Sequence, residues 1–173
     1  ALAYFLGTSI ANYLGKPFRA DSFWLGLVAV LLAQVSMNLL AEVFRPVNEP
    51  ILEGETRKDR LVLRNNALYV SIAALTANAV IAFLLYTNGH LAVPAFFFLL
   101  LSLLLVLTYS IPPFRFINRG FGEFILAAQL AYVVPSIGYI LQADETHRFL
   151  LVTVPLTFLA FAYFIIMDFP VFA

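Results

Sequence analysis

Three polar residues recur at intervals of four within a long apolar stretch: Gln34, Asn38 and Glu42. This spacing places them on one face of an α-helix, as a stripe that ends on a carboxylate. A second helical repeat runs through another apolar stretch from Thr153 to Asp168 and ends on a carboxylate as well. Two carboxylates from separate helices are suited to Mg²⁺, which keeps several waters and also binds phosphate oxygens. Glu42 and Asp168 are therefore candidate catalytic residues that act as metal ligands.

The polar stripe has two interpretations. Ionisable residues inside membrane helices usually face the bundle interior and carry function, since exposure to lipid is costly. Amide side chains such as Gln34 and Asn38 also serve as hydrogen-bonding contacts between neighbouring helices. Spacing alone leaves both interpretations open.

Basic residues accompany the carboxylates. Arg57, Lys58 and Arg60 form a short charged run, and Arg115 lies in a later polar segment. Guanidinium groups bind phosphate oxygens through charge-assisted hydrogen bonds. Together with a carboxylate-bound Mg²⁺, these four residues predict a site for a diphosphate, and the surrounding apolar walls suit a lipid tail.

The composition defines the setting of this chemistry. Hydrophobic residues make up 62% of the chain and charged residues 12%, with a mean hydropathy of +0.93, which indicates a lipid bilayer as the solvent. The formal net charge is zero, so no overall basic field exists to recruit nucleic acid. The chain has no cysteine, which excludes disulfides and thiolate metal sites.

The apolar runs predict an all-α, polytopic transmembrane helix bundle. A spanning helix needs about 20 mostly apolar residues, and only helices or closed barrels satisfy the backbone in lipid. We expect five full spans and one partial span in a single transmembrane domain, residues 1–173, that is incomplete at both ends. The full spans are 22–44, 64–86, 91–109, 122–141 and 148–167, and the partial span is 2–14.

The loops between these spans carry most of the charge on one side. Residues 45–63, 110–121 and the segment from Asp168 onward fall on that side, whereas 15–21, 87–90 and 142–147 fall on the other. Because Lys and Arg are enriched in cytoplasmic loops, the first side is expected to face the cytoplasm. His90 and His147 fall on the opposite side, so neither is expected to take part in catalysis.

Four segments resemble the UbiA superfamily of intramembrane prenyltransferases. They are MNLLAEVFRPVNEP, GETRKDR, YSIPPFRFINRGFGE and MDFPVFA, and the resemblance spans essentially the whole chain in the order and spacing of the family. Members carry an Asn-x3-Asp-x3-Asp motif, which Asn38 and Glu42 match, so the resemblance adds Asn38 to the catalytic candidates. Pro46 replaces the second Asp. A second acidic motif begins at Asp168, and Val171 replaces its next acidic position.

The resemblance implies Mg²⁺-dependent transfer of a polyprenyl group from an isoprenoid diphosphate to an aromatic acceptor. Tyr109, Arg115 and Glu123 are the chemically useful positions of the third segment, and Tyr109 and Arg115 are expected to bind the diphosphate. The GFGE step is most similar to dihydroxynaphthoate prenyltransferases of menaquinone synthesis. An integral protein of a prokaryotic cell membrane is therefore expected, whose partners are these two substrates and the bilayer.

Two other classes stay open. A transporter would also contain intramembrane polar residues, and Pro135 and Gly138 in the fourth full span are the features that suggest one of its broken helices. A non-catalytic scaffold with a degenerate prenyltransferase fold would explain Pro46 and Val171.

Overall fold

The structure is a computed structural model that describes residues 1–45, 56–89, 91–118, 121–146 and 150–168. Of Arg57, Asn118, Leu150 and Asp168, only the backbone is described. Within these ranges the chain is helical and contains no β-strand, so the predicted all-α fold class is confirmed.

The helices follow the predicted apolar runs closely. A 3₁₀ turn at Phe116–Asn118 precedes α5, and a π-helical segment at Ala128–Val133 joins α5 to α6 without a break. The α-helices are α1 (Leu2–Tyr13), α2 (Ala20–Val43), α3 (Arg57–Thr87), α4 (Val93–Ser110), α5 (Gly122–Ala127), α6 (Val134–Ala143) and α7 (Leu150–Asp168).

Four helical stretches are long and apolar enough to cross a membrane. They are Ala20–Val43, Lys58–Thr87, Val93–Ser110 and Gly122–Ala143, and α7 adds a shorter apolar helix. In this part of the chain the architecture is that of a helical membrane protein.

The start of α3 differs from the prediction by seven residues, and its cap explains why. The Thr56 side chain accepts a hydrogen bond from the Asp59 backbone, while the Asp59 carboxylate accepts one from the Thr56 backbone. This reciprocal capping box satisfies two donors at the helix start. The helix therefore begins within the charged run, ahead of the apolar span that hydropathy detects.

Helix α2 lies at the centre of the bundle. It packs against α3, α4 and α6, while α1 packs mainly along α6, and α7 packs on α5 and the π-helical segment. Its buried face includes small residues, among them Ala29, Ala33 and Ser36, which allow close approach of its neighbours. The Asn78 side chain fixes α3 against it by donating to the Ala29 carbonyl at 3.2 Å.

The stretch from Gly122 to Ala143 stays continuously helical despite Pro135. Proline removes a backbone donor and clashes with the carbonyl four residues earlier, here that of Ala131. The π-helical turn at Ala128–Val133 lies at this place and widens the helix. The broken helix that would favour a transporter is therefore not present in this stretch.

Two glycines bring α1 and α6 into backbone contact. A Cβ at Gly7 would lie 1.9 Å from the Pro135 carbonyl oxygen, and one at Gly138 would lie 2.4 Å from the Tyr4 carbonyl oxygen. The Tyr4 hydroxyl then reaches across to α2 and donates to the Phe23 carbonyl at 3.0 Å. This contact sets the position of α1 within the bundle.

Candidate functional site

Packing at one end of the bundle brings the predicted site elements together. The Ser110 hydroxyl, at the end of α4, donates to the Met37 carbonyl of α2 at 2.8 Å. Apolar residues from the ends of α2 and α4, the 111–117 segment and α5 form one cluster around this contact: Met37, Leu40, Ala41, Phe44, Tyr109, Ile111, Phe116, Ile117 and Ile125. We call this the arginine-rich end, because Arg45, Arg60, Arg64 and Arg115 lie on these elements or on the start of α3.

Helix α7 also points its C-terminal end toward the arginine-rich end. Its early residues Val152 and Leu156 lie beside Ile10, near the end of α1 at the opposite side of the bundle. Farther along, Phe161 packs edge-on against Phe124 of α5, with ring centroids 5.7 Å apart. The backbone therefore carries Asp168, the last residue of α7, toward the end where Glu42 lies.

The polar stripe of α2 is present as predicted. The Gln34 amide lies 3.5 Å from the Asn38 side-chain oxygen, within reach of a weak hydrogen bond, and Glu42 follows one turn later. Asn38 is exposed, and so are Leu31 and Val35 beside it. The stripe thus occupies a face of α2 that the described helices leave open. Its orientation toward a bundle interior stays a prediction.

Glu42 has one engaged and one available carboxylate oxygen. Its Oε1 accepts a hydrogen bond from the Arg45 guanidinium at 2.7 Å, which pairs the two residues along the helix. Its Oε2 is buried and has no hydrogen-bond partner among the described residues. A buried acceptor without a partner is costly, so this atom is suited to a bound cation or donor.

Arg115 has an unusual backbone conformation. Its φ angle is +37°, in the left-handed region that non-glycine residues adopt at a cost of about 1–3 kcal/mol. Its Nε atom is buried and, in the described part of the chain, makes no hydrogen bond. Strain of this kind is found preferentially at ligand-binding positions, and here it supports an anion-binding role for the guanidinium.

The basic run lies on the first turn of α3. Lys58 is exposed and Arg60 is half-buried, while the structure describes only the backbone of Arg57. Cations do not favour a helix N-terminus by themselves, because the helix dipole is positive there. The basic side chains there can attract an anion, although the Asp59 carboxylate of the capping box already occupies part of the helix start.

Unlike the arginines, Tyr109 lies inside the apolar cluster at this end of the bundle. Its side chain is only 7% exposed and packs in the cluster beside Met37 and Ile125. Glu123 is half-buried in the first turn of α5. For Tyr109, packing of the ring is established, whereas contact of its hydroxyl with a diphosphate stays a prediction.

Other predicted positions lie outside the described residues. They include the side chains of Arg57 and Asp168 and the whole of Pro46, Arg119, Val171, His90 and His147. Among the described residues, no three His, Cys, Asp or Glu side chains group as metal ligands. Of the two predicted metal ligands, Glu42 is the one with a described side chain.

The sequence interpretation missed a polar clasp at the opposite end. Lys16 pairs with Glu145 at 2.6 Å, and Arg19 pairs with Asp144, so the α1–α2 connection is held against the end of α6. Gln142 accepts from the Arg19 backbone N–H at 2.7 Å and donates to its carbonyl. Glu145 also raises the pKa of the Lys16 ammonium. The sequence placed charged residues in the loops on this side of the bundle. It did not indicate which of them pair, because Lys16 and Glu145 are 129 residues apart and meet only in the folded chain.

A second missed feature is a buried pair between α4 and the π-helical segment. The Gln129 amide donates to the Ser102 hydroxyl oxygen at 2.7 Å, and both residues are buried. In the sequence, both residues stand out as polar positions inside long apolar runs. Whether their side chains meet depends on the π turn, which sets the direction of Gln129 on its helix.

No known protein family, curated protein or solved structure matches this chain. The resemblance to prenyltransferases therefore depends on the four sequence segments alone.

Proposed function

We propose that this protein transfers a prenyl group from an isoprenoid diphosphate to an aromatic acceptor such as a quinone precursor, with Mg²⁺ as cofactor. The observation that carries the proposal is the available carboxylate oxygen of Glu42. It lies at the end of a polar stripe, on the end of the bundle that also carries Arg60 and Arg115. The resemblance to the UbiA superfamily gives the class of reaction.

The predicted donor set fits Mg²⁺. This ion needs only one or two protein carboxylates, because waters and substrate phosphates complete its octahedral shell. Glu42 would supply one ligand through Oε2, and Asp168, at the end of α7, would supply the second. When bound, the ion would offset the charge that develops on the leaving diphosphate.

The basic residues would bind the diphosphate and hold it in place. Arg115 offers a guanidinium whose Nε has no hydrogen-bond partner among the described residues, and Lys58 and Arg60 contribute positive charge from the start of α3. Preorganised charge of this kind stabilises a leaving group as its bond to carbon breaks. Once the carbon–oxygen bond to the diphosphate has broken, the allylic carbon would bond to the acceptor ring, and the ring would release a proton to water to recover its aromaticity.

The open face of α2 suits the prenyl chain. Trp24, Val28, Leu31 and Val35 continue the line of the polar stripe toward the opposite end, and all four are exposed. A substrate with a charged head and a hydrocarbon tail matches this sequence of a polar end followed by an apolar face.

The basic residues can be tested by comparing Arg115 with its neighbour Phe114. We expect Arg115→Ala to raise the KM for the isoprenoid diphosphate about tenfold or more, because a charge-assisted hydrogen bond is lost. Phe114→Leu should have little effect, since Phe114 is exposed and carries no charge. Steady-state kinetics with varied diphosphate, in detergent, measure both. Equal losses in the two variants would contradict diphosphate binding by Arg115.

The proposal also requires that the arginine-rich end face the cytoplasm, as the distribution of Lys and Arg predicts. Because the chain has no cysteine, single cysteines at Lys58, Phe114 and Asn88 provide clean reporters. We expect an impermeant thiol reagent to label Asn88→Cys in intact cells, and the other two only after the membrane is opened. Labelling of Lys58→Cys and Phe114→Cys from opposite sides would contradict a shared site.

A further inference from the structure

A cavity of about 280 Å³ lies between α2, α3 and α4. It is lined mainly by apolar side chains, among them Leu75, Leu85, Phe96, Leu99 and Leu103. None of the stripe residues lines it, and its α2 wall is formed by Ala29 and Val30, more than two helical turns from Glu42. It is therefore separate from the proposed diphosphate site.

Two polar side chains interrupt the apolar lining, Asn78 of α3 and Ser102 of α4. The Asn78 amide group donates to the Ala29 carbonyl at 3.2 Å, which leaves its side-chain oxygen as an acceptor. Ser102 is only 4% exposed, and its oxygen accepts from Gln129 at 2.7 Å. The Ser102 proton is thus left to donate, so the cavity offers one donor and one acceptor on different helices.

Ser102 differs from most of the described hydroxyls of the bundle. Serine and threonine in apolar helices usually donate to a carbonyl one turn earlier. Many hydroxyls here do so, among them those of Ser36, Ser71, Thr76, Thr108, Ser136 and Thr157. Ser102 makes no such bond among the described residues, and its oxygen accepts from the Gln129 amide on another helix instead.

The support for Ser102 is itself buried. Gln129 is fully buried in the π-helical segment, and its side-chain oxygen has no hydrogen-bond partner in the described part of the chain. π-helical turns occur preferentially at functional sites, and here the turn registers Gln129 against Ser102. The Ser102 hydroxyl is therefore held in place by a buried hydrogen bond from Gln129 as well as by packing.

The size and position of the cavity define what it can hold. An apolar cavity of about 150 Å³ binds benzene, so 280 Å³ accommodates a substituted ring. The lining residues Phe96 and Leu100 are exposed on α4, within a membrane-spanning stretch, so the entrance faces hydrocarbon. A ligand must enter from the bilayer and hence be neutral and apolar.

We propose that this cavity is a binding site for a neutral, membrane-soluble phenol. A phenolic hydroxyl is a single group that accepts from Ser102 and donates to Asn78, while the ring fills the apolar volume. The acyl chain of a lipid would leave both polar groups unsatisfied, which is costly in an apolar environment. The site is independent of the proposed prenyl transfer.

The test compares 4-propylphenol with propylbenzene, which has the same body without the hydroxyl. Titration of the purified protein in detergent, followed by saturation-transfer NMR, should give about tenfold tighter binding of the phenol, the effect of the hydrogen bonds at an apolar site. In Ser102→Ala this preference should fall to about twofold or less, whereas Ser71→Ala, on α3 outside the cavity, should keep it.

Ala82→Phe, which fills the cavity from the α3 side, provides a second variant that leaves the Ser102–Gln129 pair intact. It should remove saturable binding of both compounds. Equal affinity of the native protein for the two compounds would assign the cavity to hydrocarbon chains and overturn the proposal. Undiminished phenol binding in Ala82→Phe, or an unchanged preference in Ser102→Ala, would overturn it too.

Discussion

Replacing Glu42 with Gln is expected to lower prenyl transfer by about two to three orders of magnitude while the protein stays folded. The amide keeps the shape of the side chain but removes the charge that holds Mg²⁺. The variant also loses the ion pair between Glu42 and Arg45. This should lower the free energy of unfolding only slightly, because both side chains are about one-third exposed. Transfer of a radiolabelled prenyl group at saturating Mg²⁺ measures the effect.

Asp168→Asn should cause a similar loss, and the double variant should lose little more than either single variant. Residues that act as one unit cannot each be lost twice, so their effects are not additive. Glu145→Gln is the matched control, because Glu145 is an exposed carboxylate of the clasp at the opposite end. Full activity of Glu42→Gln at limiting Mg²⁺ would remove Glu42 from the metal site.

The second large effect is structural: Gly7→Ala is expected to destabilise the bundle. The new Cβ would lie 1.9 Å from the Pro135 carbonyl oxygen, so α1 and α6 must separate. Overpacking of this kind costs about 1–3 kcal/mol, although alanine is the better helix former by about 1 kcal/mol. Gly138→Ala should act in the same direction, since its Cβ would meet the Tyr4 carbonyl.

Thermal unfolding in detergent measures this effect. Ser9→Ala is the control, because Ser9 is exposed on α1 and the change also raises helix propensity. We expect a lower Tm for Gly7→Ala and an unchanged or higher Tm for Ser9→Ala. An increase in Tm for both variants would mean that propensity dominates and that α1 and α6 are not in backbone contact.

The helices were predictable from the sequence, because long apolar runs in a membrane protein leave the backbone few alternatives. The common face of Gln34, Asn38 and Glu42 was predictable as well, since residues four apart lie one above the other on a helix. The early start of α3 was not predicted, since a capping box in a polar segment contributes nothing to hydropathy.

Long-range pairings were the part that the sequence did not reveal. The Arg19–Asp144 pair and the Gln129–Ser102 contact each depend on how separate helices pack and where the π turn falls. The strained backbone of Arg115 was also not predictable, because arginine rarely adopts a positive φ angle. For the candidate site, the spacing in the sequence indicated which residues share one face of a helix. The burial of their side chains, and the atoms without a hydrogen-bond partner among the described residues, are visible only in the folded structure.

The most direct test of the proposed function is prenyl transfer by the purified protein in detergent. The donor is a radiolabelled isoprenoid diphosphate, and the acceptors are a panel of aromatic compounds that includes dihydroxynaphthoate. We predict an extractable prenylated product that appears with Mg²⁺, is lost on chelation and returns when Mg²⁺ is restored. Transfer that persists after chelation, or no transfer to any acceptor by folded protein with Mg²⁺ present, would contradict the proposal.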